Sequence, residues 1–241
     1  MFSEWVTVMI DLYVAVDVET TGLNPADDKI IEIGMAKVYK GCIQESFSTL
    51  VSPGLVIDER ITRLTGITME MLEGQPVMSD IIGEVLDFIG EAPILGHNII
   101  FDYSFLKKAA VNSGFKFEKQ GIDTLKLARR LLPDLPHKNL EYLCEYFDID
   151  AGNSHRAYDD AVSAKMLYEK LHGIKPDDAG FDELIQLNYS AKKDSPITAA
   201  QKRYLGVLVQ KHNLALGVDV ELLTKSRASR MIDKIILQYG K

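Results

Sequence analysis

The sequence predicts an α/β protein in which helices flank a mixed five-stranded sheet. Two observations predict this class. The N-terminal part contains three consecutive runs typical of an antiparallel strand meander, and the following segment alternates helical periodicity with short apolar runs. The composition agrees, because 46% hydrophobic and 26% charged residues are typical of a folded globular chain. At 241 residues, the chain has room for one large domain or for one domain with a small appendage.

Five strands are predicted, each from β-branched or apolar residues that end at turn-forming residues. They cover 12–19, 29–38, 43–51, 93–97 and 121–124. Lys40 and Gly41 form a hairpin signal between the second and third strands, which gives a three-stranded antiparallel start. We expect the first strand, which is followed by Thr20, Thr21 and Gly22, to lie in the centre of the sheet.

The helices of this domain are predicted from apolar residues that recur three and four positions apart. They cover 77–89, 102–113, 125–132, 139–147 and 158–171. In the first of them, six apolar residues share one helical face: Val77, Ile81, Ile82, Val85, Leu86 and Ile89.

The chain divides into two electrostatically different parts. Residues 1–189 contain 17 Lys and Arg against 31 Asp and Glu, whereas residues 190–241 contain 10 against 4. We place the α/β domain at 11–172, a linker at 173–196 and a small basic α-helical module at 197–241. The acidic part disfavours unspecific coating of nucleic acid, but the basic module could attract a phosphate backbone.

Two amphipathic helices are predicted in this C-terminal module, and we expect them to pack as a hairpin. The first begins after Thr198, which has capping-box spacing to Gln201, and the second follows Thr224. Five basic side chains on these helices are candidates for a nucleic-acid-binding face. They are Lys202, Arg203, Arg227, Arg230 and Lys234. A solvated helix face is the alternative.

Membrane insertion and secretion are disfavoured. No run approaches the roughly 18 apolar residues of a membrane span, and Glu4 and Asp11 interrupt the N-terminal stretch where a signal peptide has a basic end and an uncharged core. Cys42 and Cys144 are far apart and belong to no Cys/His cluster, so neither a disulfide framework nor a zinc site is indicated. We expect a cytoplasmic protein without a membrane partner.

Two acidic residues end the first strand on one face. Asp17 and Glu19 are two positions apart, so their side chains point to the same side of the sheet among apolar neighbours. Such carboxylates repel each other unless one is protonated or a cation lies between them. The alternative is that Asp17 caps the turn and Glu19 is solvated.

Three further polar residues lie at the ends of predicted elements. Asp102 follows the fourth strand, His155 lies in a loop, and Asp160 lies near the start of the last helix of the domain. Helix capping would also explain Asp102, and a surface position would explain His155. Because an open α/β sheet binds ligands at the ends of its strands, we expect these residues to join Asp17 and Glu19 in one crevice.

Three segments carry a resemblance to a known family. They are Asp-Val-Glu-Thr-Thr-Gly at 17–22, His-Asn-Ile-Ile-Phe-Asp at 97–102 and His-Arg-Ala-Tyr-Asp-Asp-Ala at 155–161. In this order and at this spacing, they resemble the three motifs of the DEDDh 3′→5′ exonucleases, in particular the proofreading exonucleases of bacterial DNA polymerase III of the epsilon-subunit and PolC type. The resemblance covers about 11–172 and implies a ribonuclease H-like fold.

The resemblance implies a chemistry for five residues. Asp17, Glu19, Asp102 and Asp160 would hold two Mg²⁺ or Mn²⁺ ions, and His155 would be the general base. The reaction would release nucleoside 5′-monophosphates from a single-stranded or frayed DNA 3′ end, with a DNA polymerase or another replication or repair protein as a partner in trans. A 3′ RNA-trimming exoribonuclease and a nucleic-acid-end binding module without turnover are the alternatives.

The same resemblance places six residues near the terminal nucleotide. They are Thr20, Thr21, Gly22, Leu23, His97 and Asn98. Gly22 also has an ordinary turn explanation, and Leu23 could belong to the core. Phe101 and Tyr103 could stack on a base, although Phe101 could instead anchor its helix in the core. In this interpretation, the basic C-terminal module holds single-stranded substrate behind the active site.

Overall fold

A mixed six-stranded sheet forms the centre of the α/β domain. The computed structural model describes residues 9–152 and 155–241. Within these ranges the strands are β1 (Leu12–Thr20), β2 (Ile30–Tyr39), β3 (Cys42–Leu50), β4 (Ile94–Gly96), β5 (Gln120–Asp123) and β6 (Ile185–Gln186). They lie in the order β3-β2-β1-β4-β5-β6, so β1 is a central strand, as the sequence predicts. The predicted count of five strands is corrected by β6, which was not foreseen.

The pairing of the strands gives the sheet its mixed character. β1 pairs antiparallel with β2, and β2 pairs antiparallel with β3 through the hairpin at Lys40 and Gly41, both of which have positive φ angles. β4 and β5 run parallel to β1, whereas β6 is antiparallel to β5. Parallel strands need helical crossovers, and their carboxyl ends are where side chains from separate motifs can meet.

Helices cover both faces of the sheet. Those described are α1 (Glu59–Thr65), α2 (Met69–Leu72), α3 (Met78–Ile89), α4 (Ile100–Asn112), α5 (Thr124–Leu131), α6 (Leu140–Tyr146), α7 (Ala157–Ile174), α8 (Ala199–His212) and α9 (Lys225–Tyr239). Alternation along β1 separates two cores. Val14 and Val16 share a core with α3 and α4, whereas Tyr13 and Ala15 share a core with α5, α6 and α7. Asp17 therefore falls on the α7 side of the sheet.

Part of the predicted linker packs against the α/β domain. Ala179–Phe181 form a 3₁₀ turn, and β6 extends the sheet beside β5. Phe181 and Leu187 are buried in the two cores of the sheet, because the short apolar patch of this segment finds uncovered apolar surface there. The expectation of a tether over 173–196 is corrected to this extent, and the three-part division of the chain stays a prediction.

The C-terminal helices pack against each other around a small core. Leu205 and Leu208 of α8 contribute to it together with Ile232 of α9. The predicted capping box is present, since the Thr198 hydroxyl accepts from the Gln201 backbone N–H and the Gln201 side chain accepts from the Thr198 backbone N–H. In the described part of the chain, no helix combines the length and the apolar character needed to cross a bilayer.

Polar contacts hold both the segment that precedes this module and the module itself against the α/β domain. Asp194 accepts a hydrogen bond from Lys108 Nζ at 2.7 Å. It also exchanges two hydrogen bonds with the Asn112 side chain, at 3.0 Å and 2.9 Å. Arg230 of α9 forms an ion pair with Asp27, in the turn that follows β1. The module therefore lies beside the turn that follows β1, the strand that carries Glu19.

Candidate active site

The first two carboxylates lie where β1 runs past its parallel neighbour. β4 pairs with β1 through Val14 and Ala15, so the last residues of β1 are open on that side. Asp17 and Glu19 follow on the α7 side of the sheet, and both are half-buried. Glu32 on β2 lies directly opposite Glu19. The end of β1 is thus rich in acidic groups.

Asp102 closes the open edge of β1. Its Oδ1 accepts a hydrogen bond from the Val18 backbone N–H at 3.0 Å, and its side chain is almost fully buried. α4 begins at Ile100, and Ile99 takes the N-cap position, so capping does not explain Asp102. The helix start predicted at 102 is therefore wrong by two residues, and the first turn of α4 carries the carboxylate to β1.

The start of α7 brings the third motif to the same place. The His155 backbone N–H donates to Asp160 Oδ2 at 3.0 Å, which ties the loop before α7 to the first turn of this helix. Each of Glu19, His155 and Asp160 offers one atom that could bind a metal ion, and these three atoms all lie within 4.8 Å of one another. His155 is half-buried, so the explanation as a surface side chain is not supported.

The predicted catalytic side chains line one cavity. It has a volume of about 250 Å³, and its lining includes Asp17, Glu19, Asp102, His155 and Asp160. These residues come from three segments that are far apart in the sequence. Their convergence is what a shared cation and substrate site requires, and the role of each residue is argued below as a proposal.

The carboxylates of this cavity are difficult to ionise in the metal-free protein. Burial, with the charges of Asp160 and Glu32, raises the pKa of Glu19 to about 8. Burial also raises the pKa of Asp102 to about 8 and that of Asp160 to about 6. For Asp17, burial and then repulsion from Asp102 raise the pKa well above its usual value. Clustered carboxylate oxygens of this kind fit divalent cations, which prefer oxygen ligands and offset the repulsion.

Comparison with known proteins identifies the family. The exonuclease family model, RNase_T, matches residues 14–168, which is more than half of the chain. The chain belongs to this exonuclease family. The resemblance to DNA polymerase III proofreading exonucleases is confirmed, because the chain is 42% identical over 158 residues to the DNA polymerase III PolC-type of Clostridium perfringens. It is also 38% identical over 160 residues to the DNA polymerase III subunit epsilon of Aquifex aeolicus.

These relatives differ in how much of their own length is matched. The match covers 65% of this chain and 11% of the PolC-type protein, but 66% of this chain and 79% of the epsilon subunit. Among solved structures, E. coli exonuclease I in complex with a dA16 oligonucleotide has a TM-score of 0.63 at 18% identity, over 72% of this chain and 42% of that one. This likeness confirms the predicted ribonuclease H-like fold.

The turn after β1 is the first of the segments predicted to contact substrate. Thr20 is buried, and its hydroxyl donates to the Gly22 carbonyl at 2.6 Å. The Thr21 hydroxyl accepts a backbone hydrogen bond across the turn at 2.9 Å. A Cβ at Gly22 would overlap the Asp28 carboxylate, so a larger residue there would displace this side chain. Leu23 is 84% exposed, so the core explanation for it is wrong and its apolar side chain is available to a ligand.

His97 and Asn98 precede α4, and both line the cavity. His97 Nε2 donates to the Lys138 carbonyl at 2.7 Å, and Nδ1 lies 2.9 Å from the Thr124 hydroxyl. Both ring nitrogens of His97 therefore have partners within the protein, and burial lowers the pKa of the ring. Asn98 is exposed, and its backbone N–H donates to Asp123 Oδ1 at 3.1 Å. Of the two, Asn98 is the better candidate for substrate contact.

Of the two aromatic candidates for base stacking, Phe101 lines the cavity and Tyr103 does not. Tyr103 is fully buried, and its hydroxyl donates to the Phe117 carbonyl at 3.2 Å. Phe101 also packs against Phe105, with ring centroids 5.0 Å apart. Phe101 thus anchors α4 and forms part of the cavity wall.

The five basic candidates of the C-terminal module differ in their surroundings. Lys202 is paired with a glutamate of the module, and Arg230 is paired with the turn after β1. Arg227 lines a second cavity of about 400 Å³ between module and domain, and burial lowers its pKa. Arg203 and Lys234 are exposed. Nucleic-acid binding by this module stays a prediction, and it depends mainly on these last two side chains.

Two further residues of the site were not found by sequence reasoning. Glu32 is almost fully buried on β2, and its carboxylate accepts hydrogen bonds from the Arg156 guanidinium. A signal was present, because Glu32 interrupts an apolar strand, and a charge buried in such a strand needs a partner. The identity of that partner could not be read from the sequence.

Proposed function

We propose that this chain is a divalent-metal-dependent 3′→5′ exodeoxyribonuclease that releases nucleoside 5′-monophosphates from single-stranded or frayed DNA ends. The observation that carries the proposal is the convergence of Asp17, Glu19, Asp102, His155 and Asp160 on one cavity. Membership of the exonuclease family supports the reaction class. Relatives named for DNA polymerase III favour DNA as the substrate.

The four carboxylates would hold Mg²⁺ or Mn²⁺ at the cavity. When bound, such cations supply Lewis-acid stabilisation of charge on the phosphate and lower the pKa of a bound water. The Val18 backbone N–H donates to Asp102 Oδ1 and so holds this carboxylate at the cavity wall. An imidazole nitrogen of His155 takes the proton of the attacking water, which it can do only while the ring is neutral.

For substrate binding, we infer that Leu23, Asn98 and Phe101 surround the terminal nucleotide, and that Thr20 to Gly22 shape the turn beside it. A DNA polymerase or another replication or repair protein is the partner that the names of the relatives favour. A cytoplasmic location is part of the same proposal, because Cys42 and Cys144 are both free thiols.

Release of nucleotides from matched oligonucleotides tests this function. A DNA duplex with a single-stranded 3′ tail and its RNA counterpart, each labelled at the 3′ nucleotide, are incubated with Mn²⁺. The proposal predicts labelled 5′-monophosphate from the DNA, at a higher rate than from the RNA, and no product in chelator. A higher rate on RNA would establish the trimming alternative instead. Binding of both tails without product would establish an end-binding module.

A further inference from the structure

The buried side chain of Glu32 and the partly exposed side chain of Arg156 form an ion pair at the edge of the active site. Arg156 Nε lies 3.0 Å from Oε1 and 3.2 Å from Oε2 of Glu32, and Arg156 Nη2 lies 2.7 Å from Oε1. The Ala157 backbone N–H also donates to Glu32 Oε2, at 3.1 Å. The Glu32 side chain is 2% exposed and that of Arg156 is 40% exposed. Because the planar guanidinium contacts both carboxylate oxygens, the pair fixes the orientation of the two side chains as well as pairing their charges.

The pair adjoins the backbone that carries His155. His155 has a φ angle of 64°, in the left-handed region that residues other than glycine rarely adopt. Such a conformation persists only where the surroundings determine it. The His155 N–H is bonded to Asp160, and the next residue along the chain is Arg156, which is held by Glu32. The backbone of His155 is therefore fastened on both sides.

Glu32 connects this loop to the strand pair that carries the first motif. It lies opposite Glu19 in the register of β1 and β2. We propose that the Glu32–Arg156 pair is a positioning element that sets the direction of the His155 imidazole relative to Glu19 and Asp160. The expected effect of this pair on kcat rests on the proposed exonuclease function, whereas its expected effect on the orientation of the His155 ring does not.

A pair that served stability alone would behave differently. Its loss would lower the free energy of unfolding but leave the turnover of the folded enzyme unchanged. The Lys165–Glu169 pair offers a matched comparison, because its atoms lie 2.8 Å apart on α7 and neither residue lines the cavity.

Three variants separate the two cases. Arg156→Lys keeps the positive charge but cannot make the planar two-point contact, and Glu32→Gln keeps the shape of the side chain but removes its charge. Glu169→Gln is the matched control. We measure kcat and KM on the 3′-labelled DNA tail with Mn²⁺, with the folded fraction checked by circular dichroism. The His155 ring is observed by NMR in protein with ¹³C-labelled histidine, and its signal is assigned by comparison with His155→Gln.

Arg156→Lys and Glu32→Gln are expected to lower kcat by about 10- to 100-fold while KM changes by less than about threefold. Both are expected to shift or broaden the His155 ring signal, and Glu169→Gln is expected to match the parent chain. Unchanged kcat and an unchanged His155 signal in the folded variants would overturn the inference, as would an equal loss in Glu169→Gln. If the parent chain releases no nucleotide, the proposed function fails, and the His155 signal alone decides the inference.

Discussion

The metal-free protein is expected to lose stability as the pH rises from about 6 to about 9. Burial, with the charges of Asp160 and Glu32, raises the pKa of Glu19 from its usual 4.5 to about 8. Between these two values the folded chain holds a proton that the unfolded chain has released, so the free energy of unfolding falls as the pH rises. This loss of stability is absent below 4.5, the pKa of Glu19 in the unfolded chain, and is complete above about 8, its pKa in the folded chain.

The magnitude follows from the size of this shift. A rise from 4.5 to about 8, at about 1.4 kcal/mol per pH unit, corresponds to about 5 kcal/mol, of which about half falls between pH 6 and pH 9. Glu19 is only partly buried, and solvent screening reduces the expected change to about 2 kcal/mol. Asp160, whose pKa is raised to about 6, acts in the same direction, but the two groups interact and their contributions are not added.

Urea unfolding in chelator, followed by circular dichroism, measures this change. The parent chain is expected to be less stable at the higher pH by about 2 kcal/mol, and Mg²⁺ is expected to restore stability there. Glu19→Gln removes the ionising group, so this variant should be less sensitive to pH and more stable than the parent chain at about pH 9 without metal. A metal-free parent chain that is as stable at about pH 9 as at about pH 6 would refute the argument from burial.

Three further outcomes test other parts of the structure. His155→Gln is expected to lower kcat, because the variant lacks the ring nitrogen that accepts the proton of the attacking water, and a fully active variant would exclude His155 from this role. Gly34→Ala is expected to cost about 1–3 kcal/mol in urea unfolding, because a Cβ there would overlap backbone atoms at the start of α7. Gly206→Ala, in open space on α8, should be neutral or slightly stabilising, and equal effects of the two changes would contradict the packing of α7 on β2. Replacing Arg203 and Lys234 with Gln should reduce the salt slope of single-stranded DNA affinity by about 1.4, and an unchanged slope would exclude both side chains from DNA contact.

Local sequence patterns were sufficient for the elements that carry the motifs. Strand alternation alone places Asp17 and Glu19 on one side of β1. Helical periodicity alone predicts α7, which carries Asp160. The contact between Asp102 and Val18 spans 84 residues, so no local pattern could reveal it, and the resemblance to a family was needed to bring these segments together.

The features that the sequence did not reveal depend on partners distant in the chain. β6 has two residues, which is too short to show a period, and it forms because the edge of β5 is open to it. The structural role of Glu32 depends on Arg156, which lies 124 positions later. The Arg230 side chain points to Asp27 because α9 packs beside the turn after β1. The spacing of residues along a helix does not show where that helix packs.

The central claim is that Asp17, Glu19, Asp102 and Asp160 hold two divalent cations beside His155. Anomalous scattering from crystals soaked in Mn²⁺ tests this claim most directly. Two manganese peaks about 3.5–4 Å apart are expected among these carboxylates, and Asp17→Asn should lose at least one of them. Manganese bound elsewhere, or no manganese in this cavity at saturating concentration, would contradict the claim.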